Sequence, residues 1–163
     1  MIIRQLEVGH MDNFCYLIGC EKTRKALIID PGADVERIMS AAKKERLAIE
    51  TIVNTHGHGD HTAGSARLKA LTGAKIVMHA LDAAAVPETD VRLAGDQDLQ
   101  VGTIRFKVIH TPGHTPGGIC LYAEGQLFTG DTLFVGDSGR TDLAGGHRPT
   151  LGASIRRLMQ LPD

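Results

Sequence analysis

The sequence predicts a single α+β domain over residues 1–163, in which two mixed β-sheets pack between outer helices. Strand-like segments fall into two groups, one in each half of the chain, with helical segments between and after them. Consecutive hairpins in the second half argue against an ordinary doubly wound sheet. The length suffices for one hydrophobic core, and no repeat or linker-like segment divides it.

In the first half, strands are predicted where the sequence alternates or is β-branched, at residues 2–8, 14–18, 25–30 and 50–55. A helix is predicted before the last of these strands, since Asp34 is a plausible N-cap and apolar residues recur at helical spacing as far as Leu47. A second helix follows the loop at 56–61 and ends at Gly73.

In the second half, strands are predicted at residues 75–79, 98–101, 104–109, 118–122 and 126–129. Turns at Gly102 and Gly125 join the last four strands into two hairpins. The final helix is expected at 150–160, where Leu151, Ile155, Leu158 and Met159 form one apolar face.

Composition and charge restrict the class of function. Hydrophobic residues make up 42% and charged residues 23% of the chain, which is typical of a globular protein. The net charge of -1 provides no overall field for nucleic acid or an anionic membrane, so neither is an expected partner. Because no apolar run approaches the roughly 20 residues that span a bilayer, we expect a cytoplasmic protein. Cys15, Cys20 and Cys120 have no ligand-like spacing and are expected to be reduced and buried.

The segment 55–61, THGHGDH, places four potential metal ligands within six residues. Side chains two apart in an extended loop point the same way, so His56 and His58 can bind one ion. Asp60 and His61, which turn into the following helix, face elsewhere and offer a second site. The pattern His-x-His-x-Asp-His arises by chance in about one in ten thousand chains of this length, and therefore indicates metal binding.

Two turns elsewhere supply matching ligands. His114 lies in a stiff Pro-Gly-His turn after a strand, and Asp131 lies in a Gly-Asp pair after a hairpin. Either residue alone would be a weak indication, because both patterns also occur in plain turns. Together with the first segment they offer a third imidazole for one ion and a carboxylate able to bridge two.

These motifs resemble those of the metallo-β-lactamase-fold superfamily, and within it the glyoxalase II-like hydrolases. The resemblance covers nearly the whole chain, and besides the histidine motifs it rests on Asp12-Asn13-Phe14, Tyr16-Leu17-Ile18, Ile29-Asp30-Pro31-Gly32 and Gly130-Asp131-Thr132-Leu133-Phe134. It implies a four-layer αββα sandwich and a site for two divalent metals. Zinc is expected, with iron or manganese as the alternatives.

The resemblance also implies a role for each candidate residue. The first metal would be held by His56, His58 and His114, and the second by Asp60 and His61, with Asp131 bridging both. Asp30 would stand behind the ligands and orient the histidine loop.

One departure from the family concerns the second metal. Family members carry a further His on a strand after the final helix, whereas this sequence stops at residue 163 before such a residue. The last strand is therefore expected to be missing and the second site to lack one ligand. The unpaired sheet edge is expected either to reduce stability or to favour a homo-oligomer. His147 is a less favoured candidate for the missing ligand of the second metal. His10, His79 and His110 are expected at strand ends or on the surface.

The implied activity is hydrolysis of a thioester such as a hydroxyacyl-glutathione, or of an ester, by a metal-bound hydroxide. Asp60 would orient that nucleophile or accept its proton. Two alternatives remain open. A mononuclear iron persulfide dioxygenase of the same fold would use the residues matching His56, His114 and Asp131, and an incomplete second site would leave a catalytically weak metal-binding domain.

The substrate cleft is expected to be lined by residues 134–142 and 79–91. Arg140 is a candidate contact for an anionic substrate group, or alternatively a buried structural partner of Asp142.

Overall fold

The computed structural model describes residues 1–162, which form two β-sheets and four α-helices. The first sheet has six strands in sequence order: β1 (Ile2–Val8), β2 (Asn13–Gly19), β3 (Lys25–Ile29), β4 (Ala48–Val53), β5 (Lys75–His79) and β6 (Val91–Leu93). The second has the order β10-β9-β8-β7, formed by β7 (Gln97–Val101), β8 (Ile104–His110), β9 (Ile119–Ala123) and β10 (Gln126–Phe128). The helices are α1 (Val35–Lys44), α2 (Gly59–Thr62), α3 (Ser65–Thr72) and α4 (Arg148–Leu158), and a short 3₁₀ helix covers Ala83–Ala85.

The first sheet is mixed, and the pairings of the second are antiparallel. Strands β1 to β3 pair antiparallel, whereas β3 to β6 pair parallel. Helix α1 connects β3 to β4, and α2 and α3 connect β4 to β5, as parallel pairs require a crossover. Tight turns join β7 to β8 and β9 to β10, so these pairs are antiparallel.

Three apolar layers show that the molecule is an αββα sandwich, as the resemblance implied. One layer lies between α1, α3 and the outer face of the first sheet and includes Ile28 and Ile38. A second fills the space between the two sheets and includes Leu27 and Phe106. The third, smaller layer packs Leu158 of α4 against the outer face of the second sheet. Adjacent residues 27 and 28 point to opposite faces of β3, which is the period-two alternation of a buried strand.

Several local features differ from the sequence prediction. The single helix expected after the loop at 56–61 is divided into α2 and α3, and Met159, expected on the apolar face of the last helix, lies beyond α4 and is 77% exposed. The short strand β6 was not predicted, because its three residues lie in a polar stretch and their pairing depends on β5. Asp34 does precede α1, but it adopts a left-handed conformation and its carboxylate accepts a hydrogen bond from Gly9 N, at 2.9 Å, instead of capping the helix. Helix α1 ends at Lys44, before the predicted limit at Leu47.

The predicted cysteine environment is confirmed. Cys15, Cys20 and Cys120 are free and buried. Burial raises the pKa of Cys15, and it raises the pKa of Cys120 to about 11. These two thiols are poor nucleophiles at neutral pH, whereas hydrogen bonds with Thr103 and Thr23 lower the pKa of Cys20 to about 6.

Within residues 1–162, no helix is long and apolar enough to cross a membrane. After α4 the structure describes only residues 159–162, which form no strand, and β10 lies at the edge of its sheet. Association through such an edge stays a prediction.

Candidate metal centre

The candidate site is built at the ends of strands from both sheets. Asp30 directly follows β3, and segment 54–58 follows the neighbouring parallel strand β4. His114 lies in the turn between β8 and β9, and Asp131 follows β10. Because the two sheets pack face to face, residues that are more than fifty positions apart in sequence meet at one end of the sandwich.

Three histidines form a compact group. The side chains of His56, His58 and His114 each offer a nitrogen within 4.8 Å of the others. Their ring centroids are 4.7–4.8 Å apart, and His114 Nε2 lies 3.0 Å from His58 Nδ1. His56 and His114 are buried, and His58 is half-buried.

Asp131 lies between the three-histidine group and the second pair of candidate ligands, Asp60 and His61. Its Oδ1 is 3.3 Å from His61 Nε2, and its Oδ2 is 3.5 Å from His114 Nε2. Asp60 also approaches His61, with Oδ2 at 3.7 Å from the same Nε2. The structure therefore brings together the six residues that the sequence singled out, with one Asp131 oxygen facing each histidine group.

Asp30 is buried beneath the histidine loop and binds it at three points. Its carboxylate accepts hydrogen bonds from Thr55 N at 2.7 Å, from the Thr55 hydroxyl at 2.6 Å, and from His61 Nδ1 at 3.0 Å. Asp30, His56 and His61 also form a compact trio of potential ligands. Since the Asp30 oxygens are already engaged by Thr55 and His61, the contacts favour an orienting role for this carboxylate.

Hydrogen bonding fixes which ring nitrogen each buried histidine presents. The Thr55 hydroxyl gives its only proton to Asp30, so His56 Nδ1, 3.0 Å away, must donate to that oxygen. His61 Nδ1 donates to Asp30, and His114 Nδ1 donates to the Arg140 carbonyl at 2.7 Å. In the neutral form of each of these rings, Nε2 then carries the lone pair that a metal ligand needs.

The Nε2 atoms of two of these rings are buried without a hydrogen-bond partner. His56 Nε2 and His61 Nε2 are shielded from solvent and make no hydrogen bond. Such buried polar atoms are rare in folded proteins and require an explanation. A divalent cation bound by imidazole and carboxylate ligands provides one, since metal-binding histidines normally donate their other ring N–H as these do. The residues present therefore fit a metal site.

Burial and charge shift the pKa values of the site in opposite directions. Burial, helped by the neighbouring His61 and His114, lowers the pKa of His56 well below its usual value, which keeps the ring neutral. Burial alone would lower the pKa of His61, but Asp30, Asp131 and Asp60 outweigh it and raise that pKa to about 9. Burial raises the pKa of Asp131, against the effect of the nearby histidines.

A cleft of about 420 Å³ opens beside the candidate centre, and Asn13, Phe14, His61, Asp131 and Phe134 are among the residues that line it. Residues 134 and 135 belong to the expected lining. The expectation that 136–142 and 79–91 also line this cleft was wrong, because those residues are absent from its walls.

Arg140 lies on the surface beside the centre. Its guanidinium donates two hydrogen bonds of 2.7 Å to Asp142, so the predicted pairing is present. The pair is exposed, however, and not buried as expected. Only the Arg140 backbone contacts the centre, through the carbonyl that accepts from His114.

His147 is exposed at the N-terminus of α4, where Nδ1 lies 2.6 Å from Thr150 Oγ1. Among the described residues, the compact groups of potential ligands do not include it.

Two residues near the centre were not assigned a role from the sequence. Asn13 donates from Nδ2 to Asp60 Oδ2 at 2.7 Å. Asp82 accepts hydrogen bonds from both histidine-bearing loops. The Asp12-Asn13-Phe14 motif is the sequence signal that could have identified Asn13. Asp82 carried none, because its partners are 25–35 residues away in sequence.

The family pattern described as "Metallo-beta-lactamase superfamily" matches residues 8–163. The chain belongs to this superfamily. A hydroxyacylglutathione hydrolase from Albidiferax ferrireducens is 41% identical over 157 residues, which cover 93% of this chain and 59% of that protein. The chain spans between 47% and 64% of the hydroxyacylglutathione hydrolases that it matches.

Three solved structures resemble the whole fold. ETHE1 from Myxococcus xanthus has a TM-score of 0.93 and 36% identity, covering 100% of this chain and 72% of that one. The B3 metallo-beta-lactamase BLEG-1 has a TM-score of 0.88 and 31% identity, with 99% and 88% covered. TTHA1623 in a di-iron-bound form has a TM-score of 0.85 and 31% identity, with 98% and 87% covered. These similarities show that the chain has the metallo-beta-lactamase fold over nearly its whole length.

Proposed function

We propose that this chain hydrolyses thioesters of the hydroxyacyl-glutathione class with the help of two divalent metals. The observation that carries the proposal is the position of Asp131 between His61 Nε2 and His114 Nε2, where one carboxylate faces both groups of ligands. The hydroxyacylglutathione hydrolases that resemble the chain support the choice of substrate.

The first metal would be held by His56, His58 and His114, and the second by Asp60 and His61, with Asp131 shared. Zinc suits this set of imidazole and carboxylate donors, and iron or manganese are the alternatives to be separated by elemental analysis. When bound, the metals supply Lewis acidity and a hydroxide nucleophile at neutral pH, by lowering the pKa of water to about 7.

Asp60 is proposed to orient the nucleophile or to accept its proton at Oδ2. Burial alone would raise the pKa of Asp60, but the hydrogen bond from Asn13 and the charge of His61 outweigh it and lower that pKa. The carboxylate is therefore ionised at neutral pH. Asn13 holds it by donating to Oδ2 at 2.7 Å, which fixes its orientation next to the candidate centre.

The cleft beside His61 and Asp131 is proposed to receive the acyl part of the substrate. Phe14 and Phe134 line it and are each 44% exposed, so they offer apolar surface to a ligand. Arg140 is retained as a proposed anion contact, although it would have to leave Asp142 to serve. A cytoplasmic location is also proposed, since three free cysteines suit a reducing compartment.

The test combines metal content with activity on the same preparation. The purified chain should contain two metals per molecule and hydrolyse S-lactoylglutathione, and removal of metal should abolish the activity. Asp131→Asn should lower the rate about 100-fold or more, and the matched exposed variant His147→Ala should not lower it.

Other outcomes would contradict this proposal. One iron per chain with oxygen consumption on glutathione persulfide would favour the dioxygenase alternative, and opening of a β-lactam without thioester hydrolysis would favour a lactamase. Bound metal without turnover of these substrates would favour the catalytically weak metal-binding domain.

A further inference from the structure

Asp82 is a buried carboxylate behind the two histidine loops. It follows β5, at the start of the 3₁₀ helix Ala83–Ala85, and is 8% exposed. Its Oδ2 accepts from Gly57 N at 3.0 Å and from the Thr115 hydroxyl at 2.6 Å, and its Oδ1 accepts from Gly117 N at 2.8 Å. The carboxylate thus has three donors and no contact with the cleft.

These three donors belong to the two segments that carry the candidate ligands. Gly57 lies between His56 and His58, in the loop after β4 of the first sheet. Thr115 directly follows His114, and Gly117 completes the same turn in the second sheet. The Asp82 side chain therefore connects the two backbone segments that carry the three histidines of the first site.

The backbone at Gly57 and Gly117 lies so close to Asp82 that most side chains at these two positions would crowd it. A Cβ on Gly117 would lie 2.6 Å from Asp82 Cγ, and a Cβ on Gly57 would lie 3.3 Å from Asp82 Cβ. Glycine at both amide donors lets the carboxylate reach the backbone directly. No ion pair within residues 1–162 includes Asp82, so its burial relies on these hydrogen bonds and not on a Lys or Arg.

We infer that Asp82 is a positioning residue that sets the separation of the His56–His58 loop from the His114 turn, and so the geometry of the first metal site. The inference rests on the proposed function, because it assigns these histidines to one metal. Asp82 holds the two loops by accepting their hydrogen bonds, as Asp30 holds Thr55 and His61.

The decisive variant is Asp82→Asn, which preserves the shape but places an amide N–H₂ against at least one donor. Metal affinity at the first site should fall about 10- to 100-fold, as it does when a hydrogen-bond partner behind a ligand is lost. In the metal-free protein, the amides of Gly57 and Gly117 should exchange with solvent at least about tenfold faster.

Asp90→Asn is the matched control. Asp90 also accepts a backbone N–H, from Ile76 at 2.8 Å, but it does so at the opposite end of the same strand β5. Replacing the Asp90 carboxylate should change the free energy of unfolding without changing metal affinity. Thr115→Val, which removes one contact, should reproduce part of the Asp82→Asn defect, and Thr115→Ser should restore affinity; this pair serves if Asp82→Asn does not fold.

The outcomes separate the two proposals. If Asp82→Asn binds metal within twofold of the original chain, or if Asp90→Asn loses as much affinity, the positioning role is overturned. If the original chain binds no metal, the proposed function fails, while faster exchange at Gly57 and Gly117 in Asp82→Asn would still show the connection between the loops. Unchanged exchange would overturn that connection as well.

Discussion

His56 and His114 follow strands of different sheets, and both are buried among the proposed ligands of the first metal. We expect His56→Ala and His114→Ala each to lose the first metal. The loss of metal affinity should exceed the roughly 100-fold that follows when only a hydrogen-bond partner of a ligand is removed. His61→Ala should have a milder effect on metal content, because it leaves the three first-site histidines in place. Elemental analysis of the three variants checks this, and unchanged stoichiometry in both first-site variants would show that the ligands are wrongly assigned.

Asp131→Asn tests bridging at the residue scale. The substitution keeps the size of the side chain and removes the negative charge that faces both His61 and His114. The second metal has fewer ligands from this chain and should lose occupancy more than the first. Stepwise metal titration measures both occupancies; equal loss from the two sites, or loss from neither, would argue against a shared carboxylate.

The raised pKa of His61 predicts proton release on metal binding. With a pKa of about 9, the metal-free ring is protonated at pH 7, whereas a ligand must be neutral. Binding of the second metal should therefore release about one proton at pH 7, and the number should fall as the pH rises through 9. Calorimetric titration in buffers of different ionisation enthalpy measures the release, and His61→Ala should release about one proton fewer than the original chain.

The same shift predicts a pH dependence of stability in the metal-free protein. Because the folded-state pKa of His61 lies above the unfolded value of 6.5, its contribution is complete below pH 6.5 and is lost as the pH rises through 9. His61→Asn should lack this loss. A pH series of unfolding midpoints that is identical for both chains would contradict the assignment.

At the scale of elements, the turn after β3 packs directly against α2. A Cβ on Gly32 would lie 1.7 Å from the carbonyl oxygen of Asp60, whereas a Cβ on Gly59 would have no atom within 4 Å. Gly32→Ala should therefore push α2 away, cost about 1–3 kcal/mol of unfolding free energy and lower metal content. Gly59→Ala, the control on α2 itself, should stay within about 0.5 kcal/mol. Thermal unfolding and metal analysis of both variants decide; similar losses in both would refute the packing argument.

At the scale of the whole molecule, the proposed metals join the two sheets. The first sheet provides the residues after β3 and β4, and the second provides His114 and Asp131. A ligand that binds only the folded state stabilises it by about 4.1 kcal/mol at a thousandfold excess over Kd. For a chain of this size, a chelator should then lower the Tm by roughly 8–16 °C. His114→Ala should show a much smaller chelator effect, and an unchanged Tm in the original chain would contradict the prediction.

The sequence by itself determined the fold class and most elements, because alternation in the strands and the turn residues at Gly102 and Gly125 are local signals. It also determined which residues are candidate ligands, since four of them lie in one short segment. Local signals failed where pairing with a distant partner decides the structure, as for β6, whose three residues pair only with β5.

Tertiary structure alone decided how the candidate residues meet. The contacts of Asn13 with Asp60 and of Asp82 with Gly57 and Gly117 span 47, 25 and 35 residues of sequence. Only the packing of the two sheets fixes such distances, and the sequence has no periodic signal for them. The ring nitrogen that each histidine presents was also undetermined, because it depends on buried acceptors such as Asp30 and the Arg140 carbonyl. Residue type thus specified the chemistry of the site, and sheet packing specified its geometry.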